Sequence, residues 1–245
     1  MIVRFIHREE LARPLTEALF RRQIQAAATG DVAKEWENFR KTVAGNAVAE
    51  RLAFMAGTRA RCYYCSDSRG TDIEHFKPIV GYSEEAFKWK NFLYVCTGCN
   101  RYKSNKFPVD SLGKPLLINP TWCDPWRFLF LDTATGVVVE RDLGGTLDPR
   151  AVETLKIIKT LSTEAAEEGR SRVIRRLAYA AEEVLAGSNE AKVCQRLARE
   201  VADDDFGISR WFAIWDGADE APFSLIRTGN HSVWRSFVRW STRRY

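Results

Sequence analysis

Long apolar segments are missing from this sequence. The longest uninterrupted apolar runs, such as Phe92–Cys96 and Trp211–Trp215, have five residues, whereas a membrane-spanning helix needs about 20. The first ten residues include charged side chains from Arg4 onward, and they lack the apolar stretch of a secretory signal peptide. We therefore expect a cytoplasmic protein that does not cross a membrane.

A nucleotide-binding loop and a strong charge excess are also missing. The pattern G-x-x-x-x-G-K-[ST] does not occur, so any ATP dependence would have to come from another chain. The 37 basic and 32 acidic residues give a net charge of +5, which permits a nucleic-acid partner without requiring one. Hydrophobic residues make up 45% of the 245 residues, too many for a disordered chain.

Cysteine is sparse but clustered. Two of the six cysteines stand alone, and the other four form two C-x-x-C pairs separated by 30 residues: Cys62 with Cys65, and Cys96 with Cys99. In a reducing compartment such pairs indicate a metal site rather than disulfides. Four thiolates on two tight turns are the ligand set of structural zinc. A redox-active C-x-x-C and unrelated buried cysteines are the alternatives.

The stretch between the cysteine pairs carries an acid directly before a histidine, Glu74-His75, with Asp72 two residues earlier. A carboxylate oxygen suits a hard divalent cation such as Mg²⁺. A neutral imidazole can take a proton from water near pH 7. The dipeptide alone is weak support for catalysis, since a single histidine is more often structural.

The second cysteine pair runs directly into Asn100, and Lys103 follows three residues later. The Asn100 amide oxygen is a further hard ligand, next to a turn that a metal would lock. Another asparagine, Asn91, precedes the second pair. The complete order is Cys-x-x-Cys, Glu-His, Asn, Cys-x-x-Cys-Asn-x-x-Lys.

This order resembles the zinc-bearing HNH endonucleases of the ββα-metal type, over residues 61–110. The resemblance implies two antiparallel strands and a helix around one catalytic Mg²⁺ or Mn²⁺ ion. It implies that His75 is the general base, that Glu74 and Asn100 bind the catalytic ion, and that Asn91 holds the loop in shape. The four paired cysteines would bind the zinc.

One departure from that family concerns the residue before the base, which is often aspartate. Here it is Glu74, and Asp72 lies on the same face of a regular strand. We favour Glu74 as the metal ligand and keep Asp72 as the alternative.

A longer resemblance is to the nuclease subunit of Septu-type anti-phage systems and their retron-associated relatives. The matching segments are Asp72–Pro78, Trp89-x-Asn91, Cys96–Lys103, Phe107-Pro108 and Leu117–Pro120. The resemblance implies a DNA substrate, an ABC/SMC-like ATPase as partner and a role in defence against phage. One single-metal centre would nick one strand, so double-strand cutting implies a homodimer or repeated action. A zinc-stabilised binding or adaptor module without activity is the alternative function.

Basic residues around the motif provide candidate contacts to DNA. Lys103 lies about one helical turn after Asn100 and could contact a phosphate, with a solvated side chain as the alternative. The sequence neighbours Lys77, Arg101 and Lys106 could extend a basic rim, since backbone charge dominates DNA affinity.

The expected fold class is α+β, a mostly helical chain with a central ββα core and a β-hairpin. We divide it into an N-terminal helical segment, the zinc-bearing core, a loop with a hairpin, and a C-terminal helical region: 1–60, 61–110, 111–145 and 146–245. Expected helix caps are Asp31, Asn46, Asp148 and Ser162. The spacing of Trp234, Phe237 and Trp240 predicts an apolar stripe, which is either core or partner surface.

Overall fold

The computed structural model of the chain describes residues 4–187 and 190–242. In that part, α-helices surround two separate two-stranded antiparallel sheets. The expected α+β class is therefore confirmed. No helix in the described ranges is both long and apolar enough to cross a bilayer.

Three helices precede the first cysteine pair: α1 (Arg13–Thr29), α2 (Val32–Arg40) and α3 (Val43–Met55). Asp31 caps α2 as expected, because its carboxylate accepts from the Lys34 N–H at 2.9 Å.

The expected cap of α3 is wrong. Thr42 occupies that position and accepts from the Gly45 N–H at 3.1 Å, so Asn46 lies within the helix. A side chain at Gly45 would put its Cβ 2.2 Å from the Phe39 carbonyl oxygen. The close approach of α2 and α3 therefore needs glycine there, and the helix already runs through Gly45.

The central segment folds as two strands and a helix. Strand β1 (Asp72–His75) pairs antiparallel with β2 (Phe92–Val95), and His75 lies opposite Phe92. Helix α4 (Thr97–Lys103) follows directly. Cys96 is its N-cap, and the Cys96 sulfur accepts from the Cys99 N–H at 3.4 Å. The second cysteine pair thus forms the first turn of α4.

The predicted hairpin is present as β3 (Leu129–Leu131) and β4 (Val138–Glu140). Its turn contains Gly136 at φ 74°, where a Cβ would lie 2.5 Å from the Glu167 carbonyl oxygen. Glycine is needed for both reasons, the positive φ and the tight contact with the following helical region.

Six helices form the C-terminal region of the described chain: α5 (Pro149–Ile157), α6 (Glu164–Leu185), α7 (Glu190–Ala202), α8 (Ile208–Ile214), α9 (Phe223–Gly229) and α10 (His231–Thr242). Asp148 caps α5 as expected, accepting from the Arg150 N–H at 2.9 Å. The cap of α6 is Thr163 rather than Ser162. Ser162 instead ends a short 3₁₀ turn, Lys159–Ser162, which contacts α4.

The aromatic stripe of α10 belongs mainly to the chain's own core. Phe237 is 1% exposed and stacks on Phe223 at a centroid distance of 5.2 Å. Trp234 is half-buried against Phe237, and Trp240 is half-buried against the same core. Core packing accounts for this spacing without a partner.

Candidate metal centre and catalytic cleft

The four paired cysteines meet in one buried cluster. Their sulfur atoms all lie within 4.8 Å of one another, and Cys65 and Cys96 are 3.8 Å apart at sulfur. The S–S bond of a disulfide is only about 2.05 Å long. Four sulfurs about 2.3 Å from a central zinc ion lie about 3.8 Å from one another. The cluster is positioned to bind a metal ion, and its geometry fits tetrahedral zinc.

The four thiols of the cluster differ in their proton affinities when no metal ion is bound. Burial raises the pKa of the Cys62 thiol well above its ordinary value. Hydrogen bonds from Cys62 and Cys99 lower the pKa of Cys96 to about 2. Thiols with such different proton affinities would not ionise together, and a divalent cation favours the thiolate form of all four.

A threonine from the C-terminal region touches this cluster. The Thr160 hydroxyl lies 3.0 Å from the Cys99 sulfur, and its methyl group would lie 3.5 Å from a Cβ placed at Gly98. A hydroxyl that donates to a thiolate orients it and stabilises its charge. This contact was not predictable from a local motif, because 61 residues separate the two side chains.

A cleft of about 340 Å³ lies between the end of β1 and the C-terminal half of α4. Its walls contain the predicted base and two of the predicted metal-binding residues: His75, Glu74 and Asn100. The remaining wall is formed by Pro78, Ile79, Arg101, Ser104 and Asn105. An acid, an imidazole and an amide therefore share one cavity, although two different elements supply them.

The imidazole of His75 is held in one tautomer. Its Nε2 lies 2.8 Å from the Ala86 carbonyl oxygen, which can only accept, so Nε2 carries the hydrogen. Nδ1 then carries the lone pair in the neutral ring. Burial lowers the pKa of His75 from 6.5 to about 4. The ring is therefore neutral at neutral pH and can accept a proton.

Two aromatic rings fix the plane of His75. Trp36 contacts it edge-on at a centroid distance of 4.5 Å, and Phe92 at 5.4 Å. Trp36 comes from α2. No motif in the sequence links it to His75, which lies 39 residues further along the chain.

Asn91 holds the loop between β1 and β2 in place through three hydrogen bonds. Its amide nitrogen donates to the carbonyl oxygens of Lys77 at 2.9 Å and Glu85 at 3.1 Å, and its oxygen accepts from the Lys77 N–H at 2.8 Å. Asn91 is 3% exposed. Because Ala86 follows Glu85, this amide also positions the carbonyl that holds His75.

The two other predicted metal-binding residues differ in placement. Asn100 lines the cleft, and its amide nitrogen donates to Asp72 at 3.2 Å. Asp72 faces Arg40 at 3.9 Å and is not among the residues that line the cleft. Because an ionised carboxylate only accepts hydrogen bonds, the Asn100 atom that faces Asp72 is the amide nitrogen. Asp72 therefore orients the Asn100 side chain.

The placement of Lys103 corrects the expectation that it contacts DNA or solvent. The side chain is 0% exposed, and its ammonium binds the Glu74 carboxylate at 2.6 Å. Burial lowers the pKa of Lys103 and raises the pKa of Glu74, and the ion pair opposes both shifts. In this arrangement the lysine is inaccessible to a phosphate.

The other predicted DNA contacts lie nearer the surface. Arg101 is exposed at the edge of the cleft. Lys106 is exposed and donates to the Tyr102 carbonyl at 2.8 Å. Lys77 is half-buried and pairs with Glu85 at 3.2 Å, so its charge is partly neutralised.

Comparison with known proteins gives a distant similarity. No protein-family model matches the chain. It is 33% identical over 76 residues to the Septu protein PtuB of Bacillus thuringiensis, a match that covers 29% of this chain. The match spans 28% of that protein's length, just over a quarter.

Proposed function

We propose that this chain is a metal-dependent endonuclease of the HNH type that hydrolyses phosphodiester bonds in DNA. The observation that carries the proposal is the shared cleft of Glu74, His75 and Asn100 on a strand–strand–helix unit. A second support is the four-cysteine cluster at the start of the same helix, for which we propose a structural zinc ion.

In the proposed reaction His75 is the general base. Nδ1 accepts a proton from a water molecule, and the water oxygen attacks the phosphorus in line. The new phosphorus–oxygen bond forms as the bond to the 3′-oxygen breaks, and that oxygen takes a proton from solvent. The products carry 5′-phosphate and 3′-hydroxyl ends. The Ala86 carbonyl and Trp36 keep the ring in position throughout.

Glu74 and Asn100 are the residues that would hold the catalytic cation, Mg²⁺ or Mn²⁺. Within the described part of the chain, neither Glu74 Oε2 nor Asn100 Oδ1 has a hydrogen bond. A carboxylate and an amide oxygen are ligands suited to such ions. When bound, the ion supplies charge stabilisation at the phosphoryl and leaving oxygens.

The biological role we propose is anti-phage defence together with an ATPase partner. The distant similarity to a Septu protein supports this role.

Arg101 and Lys106 are the exposed basic side chains we propose as DNA contacts. Cutting both strands would need two such centres, as in a homodimer. Purification from the native operon should yield a complex with the ATPase, and a chain that purifies without a partner would contradict this role.

The test of activity is cleavage of supercoiled plasmid with Mg²⁺ or Mn²⁺. His75→Gln keeps an amide N–H to donate to the Ala86 carbonyl but removes the base. We expect cleavage to fall by about 10²–10⁴-fold, with zinc content unchanged. Full activity of this variant would rule out His75 as the base.

A non-catalytic DNA-binding or adaptor module is the second candidate. One observation favours it: the Glu74 carboxylate already has a cationic partner, Lys103, at 2.6 Å. If the wild-type chain binds DNA without cutting it, alone and with its operon partner, this second function is the correct one.

A further inference from the structure

Lys103 is fully buried and lies beside the cleft residues Glu74 and His75. Its ammonium group meets three oxygen atoms: Glu74 Oε1 at 2.6 Å, the His75 carbonyl at 2.7 Å and the Ser104 carbonyl at 3.3 Å. An ammonium has three protons to donate, so Lys103 is fully satisfied. Lysine is almost never fully buried unless it is paired.

Fold stability alone gives a poor reason for this pair. Desolvating two charges costs about as much as their attraction returns, and well-packed apolar residues often serve a fold equally well. The exposed neighbours Arg101 and Lys106 show that α4 and the residues after it can turn basic side chains to solvent. The buried position of Lys103 therefore points to a task at the cleft.

Lys103 contacts two of the three cleft residues and shares a helix with the third. Lys103 ends α4, the helix that carries Asn100. Its ammonium binds the Glu74 side chain and the His75 backbone, both at the end of β1. One charged group thus ties the end of the strand to the helix.

Lys103 engages one oxygen of the Glu74 carboxylate. The ammonium holds Oε1, and no hydrogen bond to Oε2 is found in the described ranges. Because Glu74 lines the cleft together with Asn100, the fixed carboxylate can offer Oε2 beside the Asn100 amide. A glutamate without this anchor would have to lose rotamer freedom whenever it binds an ion.

We propose that Lys103 is a positioning residue, which fixes the Glu74 carboxylate so that Glu74 and Asn100 form one divalent-cation site. Lys103 acts through Glu74 and makes no contact with DNA. This inference rests on the proposed function, because it specifies how the same cleft binds its ion.

The test is Mn²⁺ binding to the full-length chain, measured by electron paramagnetic resonance and calorimetry in the absence of DNA. We expect Lys103→Met to weaken Mn²⁺ binding at least tenfold, as Glu74→Gln does. The double variant should bind no more weakly than Glu74→Gln alone, because both changes act through one carboxylate. Lys34→Met, on the exposed face of α2, is the matched control and should stay within twofold of wild type.

Each remaining outcome decides the inference. If Lys103→Met binds Mn²⁺ as tightly as wild type or more tightly, Lys103 does not position Glu74. If Lys103→Met fails to fold, the double variant Glu74→Gln/Lys103→Met decides. Folding of the double variant supports a role through Glu74, and its failure to fold overturns that role.

Failure of the proposed function gives a different result. In that case Mn²⁺ binding depends on Lys103 as expected, but the wild-type chain cuts no DNA. Conversely, a wild-type chain that cuts DNA while Lys103→Met retains full Mn²⁺ affinity contradicts only the role of Lys103.

Discussion

Two centres lie on the same fifty residues, and they are built in different ways. The four-cysteine cluster takes its ligands from two short turns, and each turn places two sulfurs together by local spacing. The cleft takes Glu74 and His75 from a strand and Asn100 from a helix. Its supporting contacts come from Trp36, Ala86 and Lys103.

This difference predicts how each centre responds to amino-acid substitutions. A metal ion can hold the cluster together, because its bonds to four ligands replace the packing of a larger core. The cleft has no such single bond network, and its geometry depends on several side chains that touch no substrate. We therefore expect changes at the cysteines to affect the fold, and changes at the cleft to affect mainly activity.

The largest expected effect is that of Cys99→Ser. Structural zinc contributes roughly 10–16 kcal/mol to folding in zinc-finger peptides, so loss of one thiolate should release the ion and unfold the central segment. Zinc content and limited proteolysis measure this. Cys123→Ser, at a half-buried cysteine outside the cluster, is the control and should keep its zinc. Absence of zinc from pure native protein would contradict the four-cysteine site.

Asn91→Ala should separate the two centres. The variant loses three hydrogen bonds to the loop, at about 1 kcal/mol each or about 3 kcal/mol in total. Because the loop carries Ala86, we expect plasmid cleavage to drop while zinc stays bound. Urea unfolding, zinc content and cleavage should be measured on the same preparation. If zinc is lost as readily as activity, the two centres are not independent.

The pH dependence of stability gives a test of the cleft alone. The pKa of His75 is 6.5 in the ordinary ring and about 4 in the folded chain, because of burial. Between these values the unfolded chain binds a proton that the folded chain does not, so stability falls as the pH drops through this range. The full loss from this ring is about 3 kcal/mol.

Urea unfolding between pH 7 and pH 5 should show this dependence. His75→Gln lacks the titrating ring, so its stability should decline less steeply than that of the wild type over the same range. Parallel curves for the two proteins would mean that His75 is not held neutral by burial.

The smallest expected effect is at the edge of the cluster. Thr160→Val removes the hydroxyl that lies 3.0 Å from the Cys99 sulfur but keeps nearly the same volume. Loss of such a supporting contact typically lowers metal affinity by about 10–100-fold. Competition with a zinc chelator measures it. Thr160→Ser retains the hydroxyl and should behave as wild type. Equal affinities of all three proteins would show that the contact has no effect.

Local patterns predicted much of the fold. Asp31 and Asp148 cap helices as expected, because a cap needs only its own side chain and the next few N–H groups. The hairpin also follows from adjacent apolar runs and a turn. The two errors, Asn46 and Ser162, lie within four residues of the true caps, Thr42 and Thr163. Where several side chains could cap a helix, tertiary packing selects the boundary.

The sequence alone determined which chemical groups are available. The short spacing within each cysteine pair places two sulfurs on one tight turn, and the two pairs meet in one cluster. The sequence also placed the acid, the imidazole and the amide in an order that a strand and a helix could bring together. These inferences depend on local geometry, which the order of residues largely sets.

Only the tertiary structure decided how those groups are supported. Trp36, Ala86 and Thr160 reach the two centres from positions 39, 11 and 61 residues away from His75 and Cys99. Lys103 turns inward to Glu74 rather than outward to solvent. Burial and charge balance depend on every element packed around a side chain. A pattern within fifty residues does not contain that information.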